Sequence, residues 1–274
     1  MDKKTLSRDG TPIAYQRTGT GPVVVLVSGA MSTGATVAPL AAALSRRFSA
    51  VVYDRRGRGE SGDTTPYAVE REVEDLAAVI GAVGGDAALY GISSGGALAL
   101  RAAAAGLPVR RVAVYEPPFD VREDRAADHA RYTEELERAL AQGRRGDAVE
   151  LFLRVTGLAE QMIVNARQSP MWPGLEAVAP TLAYDDAVMG DGTVPRDLLA
   201  AVTVPVLAVA GDAGPAWMRE AARQVAEAAP QGTYRVLAGQ THAVEPEVLA
   251  PVLAEFYGAR GPSSGSGPEP AGPD

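Results

Sequence analysis

The residues with the clearest chemical potential lie in the run GISSG at 91–95, which fits the spacing G-x-S-x-G. This spacing is typical of a tight turn from a strand into a helix that leaves a serine hydroxyl exposed. The small residues Gly91 and Gly95 permit such a turn, since a Cβ at either position would obstruct it. Ser93 is therefore the candidate nucleophile, and a helix N-cap is the alternative role for it.

A serine hydroxyl needs a positioned base, and the sequence has 2 histidines, His129 and His242. His129 falls in the charged run RAADHARYTEE, which predicts a surface helix, so we expect a solvated side chain. His242 follows the last predicted strand and precedes the last predicted helix. That places it at the carboxyl edge of a parallel sheet, where ligands gather in open α/β folds. We therefore expect His242 to be the general base, with a loop or capping histidine as the alternative.

The elements that must position these residues alternate along the chain. Short apolar runs predict strands, and the segments between them have apolar residues at helical spacing. The strands are predicted at 23–28, 49–54, 86–91, 110–116, 204–211 and 233–239, and an antiparallel strand at 12–19 begins the sheet. The crossover helices are predicted within 37–48, 68–84, 94–106 and 216–230. The pattern predicts an α/β fold with a mostly parallel, doubly wound sheet that helices cover on both faces.

The alternation stops after Glu116 and resumes near Val204. Helices are expected instead, at 120–143 and 146–168. We therefore predict a core domain formed by residues 1–117 and 197–257 and an inserted helical cap at 118–196. Residues 258–274 are rich in Gly, Pro and Ser and have few apolar side chains, so we expect a disordered tail.

Composition excludes several classes of function. The net charge is -8 and the basic residues are scattered, so no nucleic-acid partner is expected. There are 0 cysteines, which excludes disulfides and thiol nucleophiles. The polar start MDKKTLSRDG predicts no signal peptide, and no apolar run is long enough to span a membrane. We expect a cytoplasmic protein without membrane partners; the sequence carries no signal for an oligomeric state.

Three stretches together resemble a known family. They are GISSGG around Ser93, YDRRGRGESG at 53–62 and GQTHAVEPEVL around His242. Residues 5–257 are similar to the α/β-hydrolase fold superfamily, in its small-molecule serine hydrolase branch. A short Arg-Gly run such as that within 53–62 could also bind anions or nucleic acid, but its position favours a structural turn.

The resemblance implies an oxyanion hole of two backbone N–H groups. One is expected from Ser94, the residue after the nucleophile. The other carries over to Ala30, with Met31 as the neighbouring alternative. Ser28 stands where relatives often have a histidine. Because the donors are backbone groups, the hole can survive that change.

The resemblance also implies a carboxylate that orients the histidine, and the position where most relatives carry it is Gly214, which has no side chain. Glu116 is the favoured replacement, because it ends a strand at the carboxyl edge and keeps the chain order Ser, acid, His. Asp212 is the alternative, in the usual loop but two residues early.

These residues predict a serine hydrolase, of the carboxylic ester type, that cleaves a small ester, lactone or related acyl compound through an acyl-enzyme. No metal or organic cofactor is required. A small-molecule substrate is expected to contact aromatic and apolar side chains of the cap. The candidates are Phe119, Phe152, Met162, Met171, Trp172 and Tyr184. The alternatives are a non-hydrolytic enzyme of the same fold, such as a lyase or cyclase, and a ligand-binding, receptor-like protein with weak turnover.

Overall fold

The computed structural model of the chain describes residue 1 and residues 3–122 and 126–258. Eight strands of this part form a single sheet in the order β1-β2-β4-β3-β5-β6-β7-β8. The first two strands are antiparallel to their neighbours, and the other pairs are parallel. The strands are β1 (Lys3–Leu6), β2 (Pro12–Thr18), β3 (Val23–Val27), β4 (Ser49–Tyr53), β5 (Ala87–Ile92), β6 (Val109–Tyr115), β7 (Val206–Gly211) and β8 (Gly232–Leu237).

Helices cover both faces of this sheet, because its central strands are apolar on both sides. One face packs against α2 (Val69–Val83), α3 (Ser94–Ala104) and α10 (Ala216–Ala228). The opposite face packs against α1 (Gly34–Leu44) and α11 (Pro246–Gly258). The predicted α/β fold with a mostly parallel, doubly wound sheet is confirmed. The edge strand β1 was not expected, since its polar residues carry little strand signal.

The connection from β6 to β7 is helical, as the sequence predicted, and its described residues contain no strand. We refer to its described helices, which lie between Ala126 and Ala200, as the helical insertion. They are α4 (Ala126–Ala141), α5 (Arg145–Val155), α6 (Glu160–Arg167), α7 (Trp172–Val178), α8 (Leu182–Met189) and α9 (Arg196–Ala200), with a short 3-10 turn at Ala179–Thr181.

Several boundaries in this region differ from the sequence-based expectation, including those of the helix expected at 120–143, which is α4 at Ala126–Ala141. The single helix expected at 146–168 is two helices, because Gly157 adopts a φ of 86° after the end of α5. The predicted domain boundary between 196 and 197 falls inside α9, where Leu199 joins the core of the sheet. Of the tail predicted at 258–274, Gly258 is the last residue of α11, and the rest lies outside the described residues.

Candidate active site

Ser93 occupies the turn between β5 and α3, at the carboxyl edge of the sheet. Its backbone has a φ of 57° and a ψ of -132°, a conformation that is strained for a residue with a side chain. The Ser93 N–H donates to the carbonyl of Tyr115 at 3.0 Å, which ties the turn to the neighbouring strand β6. Gly91 is required beneath it, since a Cβ there would lie 2.3 Å from the Gly95 carbonyl oxygen. The turn thus holds Ser93 at the carboxyl edge of the sheet.

Glu116 follows the last residue of β6 and also has a positive φ, of 43°. Its N–H donates to the Val209 carbonyl at 3.0 Å, which holds the residue against β7. The carboxylate is fully buried, and each of its oxygens has a partner. His242 Nδ1 lies 2.8 Å from Oε2, and the Gly211 N–H donates to Oε1 at 2.9 Å. The carboxylate is therefore fixed, and it accepts the Nδ1–H of His242.

His242 belongs to the loop between β8 and α11, and contacts from β6 and from the β7–α10 loop hold this loop. The Tyr115 hydroxyl donates to the Thr241 carbonyl at 2.6 Å. Asp212, the alternative acid, accepts from the Gly239 N–H at 2.6 Å through its Oδ1. Asp212 thus binds the backbone of the loop that carries His242, and Glu116 binds the imidazole itself.

Gly214, the position where most relatives carry the triad acid, lies next to the carboxylate of Glu116. A Cβ at Gly214 would lie 3.6 Å from Glu116 Oε1. The carboxylate that reaches in from β6 therefore lies beside the position from which an aspartate on the β7–α10 loop would reach the imidazole. Arg219 donates to the carbonyls of Asp212 and Gly214, at 3.1 and 2.8 Å, and so fixes the loop.

Ser93 and His242 face the same edge of the sheet, but no hydrogen bond joins their side chains in the described part of the chain. The imidazole side chain is 41% exposed, so it can be reached from solvent. Catalytic hydrogen bonds are often long before a substrate binds and tighten in the complex.

The candidate oxyanion hole lies between the β3–α1 loop and the first residue of α3. Within the described residues, the N–H groups of Ala30 and Ser94 donate to no protein acceptor. Gly29 passes close to the nucleophile, since a Cβ there would lie 2.9 Å from Ser93 Cβ. Met31, the alternative donor, has a φ of 56°, so the loop turns sharply directly after Ala30.

A buried ionic cluster lies behind this hole, formed by Arg55, Arg58, Glu72 and Asp185. We refer to these residues as the arginine cluster. Arg55 forms a bidentate pair with Glu72 at 2.6 and 2.7 Å. Asp185, from α8 of the helical insertion, accepts from Arg55 through Oδ1 and from Arg58 through Oδ2, each at 2.7 Å. Both guanidinium groups are fully buried.

The arginine cluster identifies the run 53–62 as a structural turn, as expected, but one that adjoins the candidate site. Arg58 donates to the Gly29 carbonyl at 2.7 Å, and Ser94 Oγ donates to Asp185 at 2.7 Å. Asp185 was not among the residues predicted from the sequence. The only signal for it is an acidic pair, Asp185 and Asp186, in an otherwise apolar short helix.

Comparison with known proteins identifies the family. The model of the alpha/beta hydrolase family matches residues 24–252. The chain belongs to the α/β-hydrolase family. The solved structure of an alpha/beta hydrolase from Sphaerobacter thermophilus is 50% identical, covers 93% of this chain and 100% of its own, and has a TM-score of 0.85.

Two curated relatives match more distantly. The 2-(acetamidomethylene)succinate hydrolase of Mesorhizobium japonicum is 28% identical over 263 residues, which are 88% of this chain and 90% of that protein. The polyketide synthase ThaQ of Burkholderia thailandensis is 42% identical over 89 residues, or 32% of this chain. That match spans only 4% of the synthase.

In this α/β hydrolase the six side chains expected to line a substrate pocket do not come together. Phe152 and Trp172 belong to the apolar cluster of the helical insertion that packs against Ala30 and Met31. Phe119, in contrast, packs into the core of the sheet and is only 1% exposed.

The other three expected pocket residues lie elsewhere in the helical insertion. Met162 and Met171 are 56% and 75% exposed. Tyr184 stacks on Tyr67 with 3.8 Å between ring centroids and donates to Asp63 at 2.8 Å. The sequence position of Tyr184 did not reveal these partners, because both lie in a distant segment.

The sequence predicted a solvated side chain for His129, but this side chain has contacts within the helical insertion. His129 is a residue of α4, and its Nε2 lies 3.0 Å from the Gly190 carbonyl at the end of α8 and 3.5 Å from Asp186 Oδ1. Burial raises the pKa of Asp186, although a hydrogen bond from Thr133 and the nearby His129 oppose that shift. His129 thus contributes to the packing of the helical insertion.

No helix of the described residues is both long and apolar enough to cross a membrane. The same residues contain no group of three or more His, Asp or Glu side chains that could hold a metal ion.

Proposed function

We propose that this α/β hydrolase is a serine hydrolase that cleaves a small ester, lactone or related acyl compound through an acyl-enzyme. The observation that carries the proposal is the hydrogen bond between the buried carboxylate of Glu116 and Nδ1 of His242, at the sheet edge where Ser93 occupies a strained turn. A carboxylate that accepts from Nδ1 leaves Nε2 unprotonated and able to act as a base.

In the first half of the reaction, Ser93 Oγ attacks the acyl carbon while His242 Nε2 takes the hydroxyl proton. The carbonyl oxygen becomes an oxyanion, and the N–H groups of Ala30 and Ser94 donate to it. As the tetrahedral intermediate collapses, the bond to the leaving oxygen breaks and the imidazolium returns the proton to that oxygen. The alcohol departs and the acyl group stays on Ser93; in a lactone, alcohol and acyl remain one molecule.

In the second half, water replaces the alcohol. His242 accepts a proton from the water, the resulting hydroxide attacks the acyl carbon, and the same two N–H groups bind the oxyanion. Collapse breaks the ester bond to Ser93, which recovers its proton from the imidazolium. Glu116 remains ionised throughout and stabilises the imidazolium in both halves.

The proposed residue roles agree with the position of each group. The strained serine, the buried glutamate and the partly exposed histidine follow β5, β6 and β8 at the carboxyl edge, where open α/β sheets bind ligands. Two relatives described as hydrolases match most of this chain, which favours hydrolysis over the lyase, cyclase and receptor-like alternatives. The substrate surface is proposed to include Phe152 and Trp172, which belong to the apolar cluster packed against Ala30.

A fluorophosphonate probe tests the nucleophile directly. We expect one equivalent to label the native wild-type protein, peptide mapping to place the adduct on Ser93, and the Ser93→Ala variant to stay unlabelled. A folded wild-type protein that takes up no probe would remove the acyl-enzyme from the proposal.

Turnover of p-nitrophenyl acetate, p-nitrophenyl butyrate and γ-butyrolactone in heavy-oxygen water tests hydrolysis. The proposed reaction places one solvent oxygen in the carboxylic acid product. A product without solvent oxygen would favour the non-hydrolytic alternative, and stoichiometric ligand binding without product, unchanged in Ser93→Ala, would favour the receptor-like one.

A further inference from the structure

Asp185 is connected to both sides of the candidate oxyanion hole, directly to Ser94 and through Arg58 to the Gly29–Ala30 peptide. It is a residue of the helical insertion, yet its carboxylate lies in the core behind the nucleophile and is 7% exposed. Oδ1 accepts from Arg55 and from the Ser94 hydroxyl, and Oδ2 accepts from Arg58, each at 2.7 Å.

The contact through Arg58 fixes the orientation of one donor. Arg58 donates through Nη1 to the Gly29 carbonyl at 2.7 Å while Nη2 binds Asp185. The Gly29 carbonyl and the Ala30 N–H belong to one planar peptide group, and in a trans peptide they point in opposite directions. Ser32 Oγ also donates to the Gly29 carbonyl, at 2.7 Å. Holding this oxygen therefore aims the Ala30 N–H.

The contact with Ser94 fixes the second donor. Ser94 is the first residue of α3, and its hydroxyl is anchored between Asp185 at 2.7 Å and Arg55 at 3.4 Å. The residue is 3% exposed, so water does not compete for that hydroxyl. The rigid hydroxyl holds the turn whose N–H faces the hole.

We propose that Asp185 is a positioning residue that aims the N–H groups of both Ala30 and Ser94, and so couples the helical insertion to the oxyanion hole; this inference rests on the proposed function. The carboxylate acts through Arg58 and Ser94 and does not touch the substrate. Its placement on α8 means that the packing of the insertion determines the geometry of the hole.

The electrostatics of the cluster agree with an ionised Asp185. Burial acts to raise the pKa of this carboxyl, but the guanidinium groups of Arg58 and Arg55 and the hydrogen bond from Ser94 hold it below its ordinary value. The cluster pairs two guanidinium groups with two carboxylates, so its charge is balanced. Loss of one carboxylate leaves a buried cation with no counter-charge, which frees Arg58 to move.

The test compares Asp185→Asn with Asp75→Asn. Asp75 is a matched control because it is also buried and is bound at 2.7 Å through both oxygens by Arg56, from the same loop as Arg58. Arg56 contacts neither Gly29 nor Ser94 in the described structure. Both variants remove a buried charge, but only Asp185→Asn is expected to disturb the hole.

The kinetic readout is the split between kcat and KM. We expect kcat of Asp185→Asn on p-nitrophenyl acetate to fall by roughly 10- to 100-fold, as for a small misplacement of catalytic groups, with little change in KM. The affinity for an alkyl boronic acid, whose tetrahedral adduct needs the hole, should fall by a similar factor. The pH profile set by His242 should not move. Asp75→Asn should keep wild-type values for the folded protein.

A second readout does not depend on turnover. Amide hydrogen exchange at Ala30 and Ser94 should become faster in Asp185→Asn and stay unchanged in Asp75→Asn. If Asp185→Asn does not fold, Arg58→Lys replaces it, since a single ammonium cannot bind both Gly29 and Asp185 as the guanidinium does.

The outcomes separate the two proposals. Unlabelled wild-type protein without turnover refutes the serine hydrolase, while the exchange rates still decide whether Asp185 holds the loop. Wild-type exchange at both amides together with unchanged kcat in Asp185→Asn overturns the positioning role. Equal losses in Asp185→Asn and Asp75→Asn would overturn it too, because they would reflect a general loss of stability.

Discussion

Replacement of Glu116 by Gln removes one charge from the proposed triad and leaves its shape. The side chain is fully buried, with one oxygen 2.8 Å from His242 Nδ1 and the other 2.9 Å from the Gly211 nitrogen. Both neighbours donate to the carboxylate. A glutamine amide has one acceptor and one donor group, so it can satisfy only one of them in the native arrangement.

The chemistry of the two neighbours determines which of them the glutamine amide can bind. If the amide NH₂ faced Gly211, two donors would meet, and an unsatisfied buried donor costs about 1–3 kcal/mol. If the NH₂ faces His242 instead, the imidazole can adapt by moving its proton from Nδ1 to Nε2. The second arrangement is therefore favoured, and it leaves Nε2 protonated, so His242 cannot accept the proton of Ser93.

The expected loss follows from this tautomer and from the missing charge beside the imidazolium. Removal of the triad acid's charge lowers kcat by about 10,000-fold in serine proteases. His242 is 41% exposed, so water stabilises part of its charge. We therefore expect kcat to fall about 1,000- to 10,000-fold, or about 4–5.5 kcal/mol of barrier.

The assay is steady-state hydrolysis of p-nitrophenyl acetate together with the rate of fluorophosphonate labelling at Ser93. Asp212→Asn is the matched control, because within the described residues the Asp212 carboxylate accepts from the Gly239 N–H alone, and an asparagine oxygen can do the same. It should retain activity within about threefold. A larger loss in Asp212→Asn than in Glu116→Gln would refute the assignment of Glu116 as the triad acid.

A Glu116→Gly/Gly214→Asp double variant should have a kcat on the order of 10- to 100-fold higher than that of Glu116→Gly, since removal of the glutamate side chain makes room for an aspartate at position 214. An unchanged kcat would show that an aspartate at this position does not reach His242. Gly29→Ala should lower kcat/KM roughly 100-fold, because its Cβ would lie 2.9 Å from Ser93 Cβ, while urea titration shows a loss of only about 1–3 kcal/mol. The pKa of Asp185 is held below its ordinary value, because Arg58 and Arg55 outweigh its burial, so its stabilising contribution is complete above the ordinary carboxyl pKa of about 4 and is lost as pH falls through the lower folded-state value. The stability difference between wild type and Asp185→Asn in urea should therefore shrink as the pH is lowered through that range, and a constant difference would contradict it.

The sequence predicted the sheet well, because its central strands are continuous apolar runs between helical patterns. It missed β1, whose four residues are mostly exposed and polar, and it merged α5 with α6. Gly157 lies between two compatible amphipathic patterns, and a single glycine does not by itself end a predicted helix.

The candidate site was predictable where its groups belong to local motifs. Ser93 and Ser94 lie in the turn motif, and His242 and Glu116 each follow a strand at the same edge of the sheet. Asp185 was not predictable, because its partners are 91 and 127 residues away in sequence, at Ser94 and Arg58. Contacts of that kind depend on how the insertion packs, which no local pattern encodes.

The contact of Asp185 with Arg58 has a consequence for chimeric proteins of this family. Asp185 is the carboxylate that Arg58 binds in the described structure, and it is supplied by the insertion. A core given an insertion that lacks this acid would bury a guanidinium with only the Gly29 carbonyl as an anchor. An exchange of this insertion to change substrate preference therefore has to carry an acidic residue at the position of Asp185, or replace Arg58 at the same time.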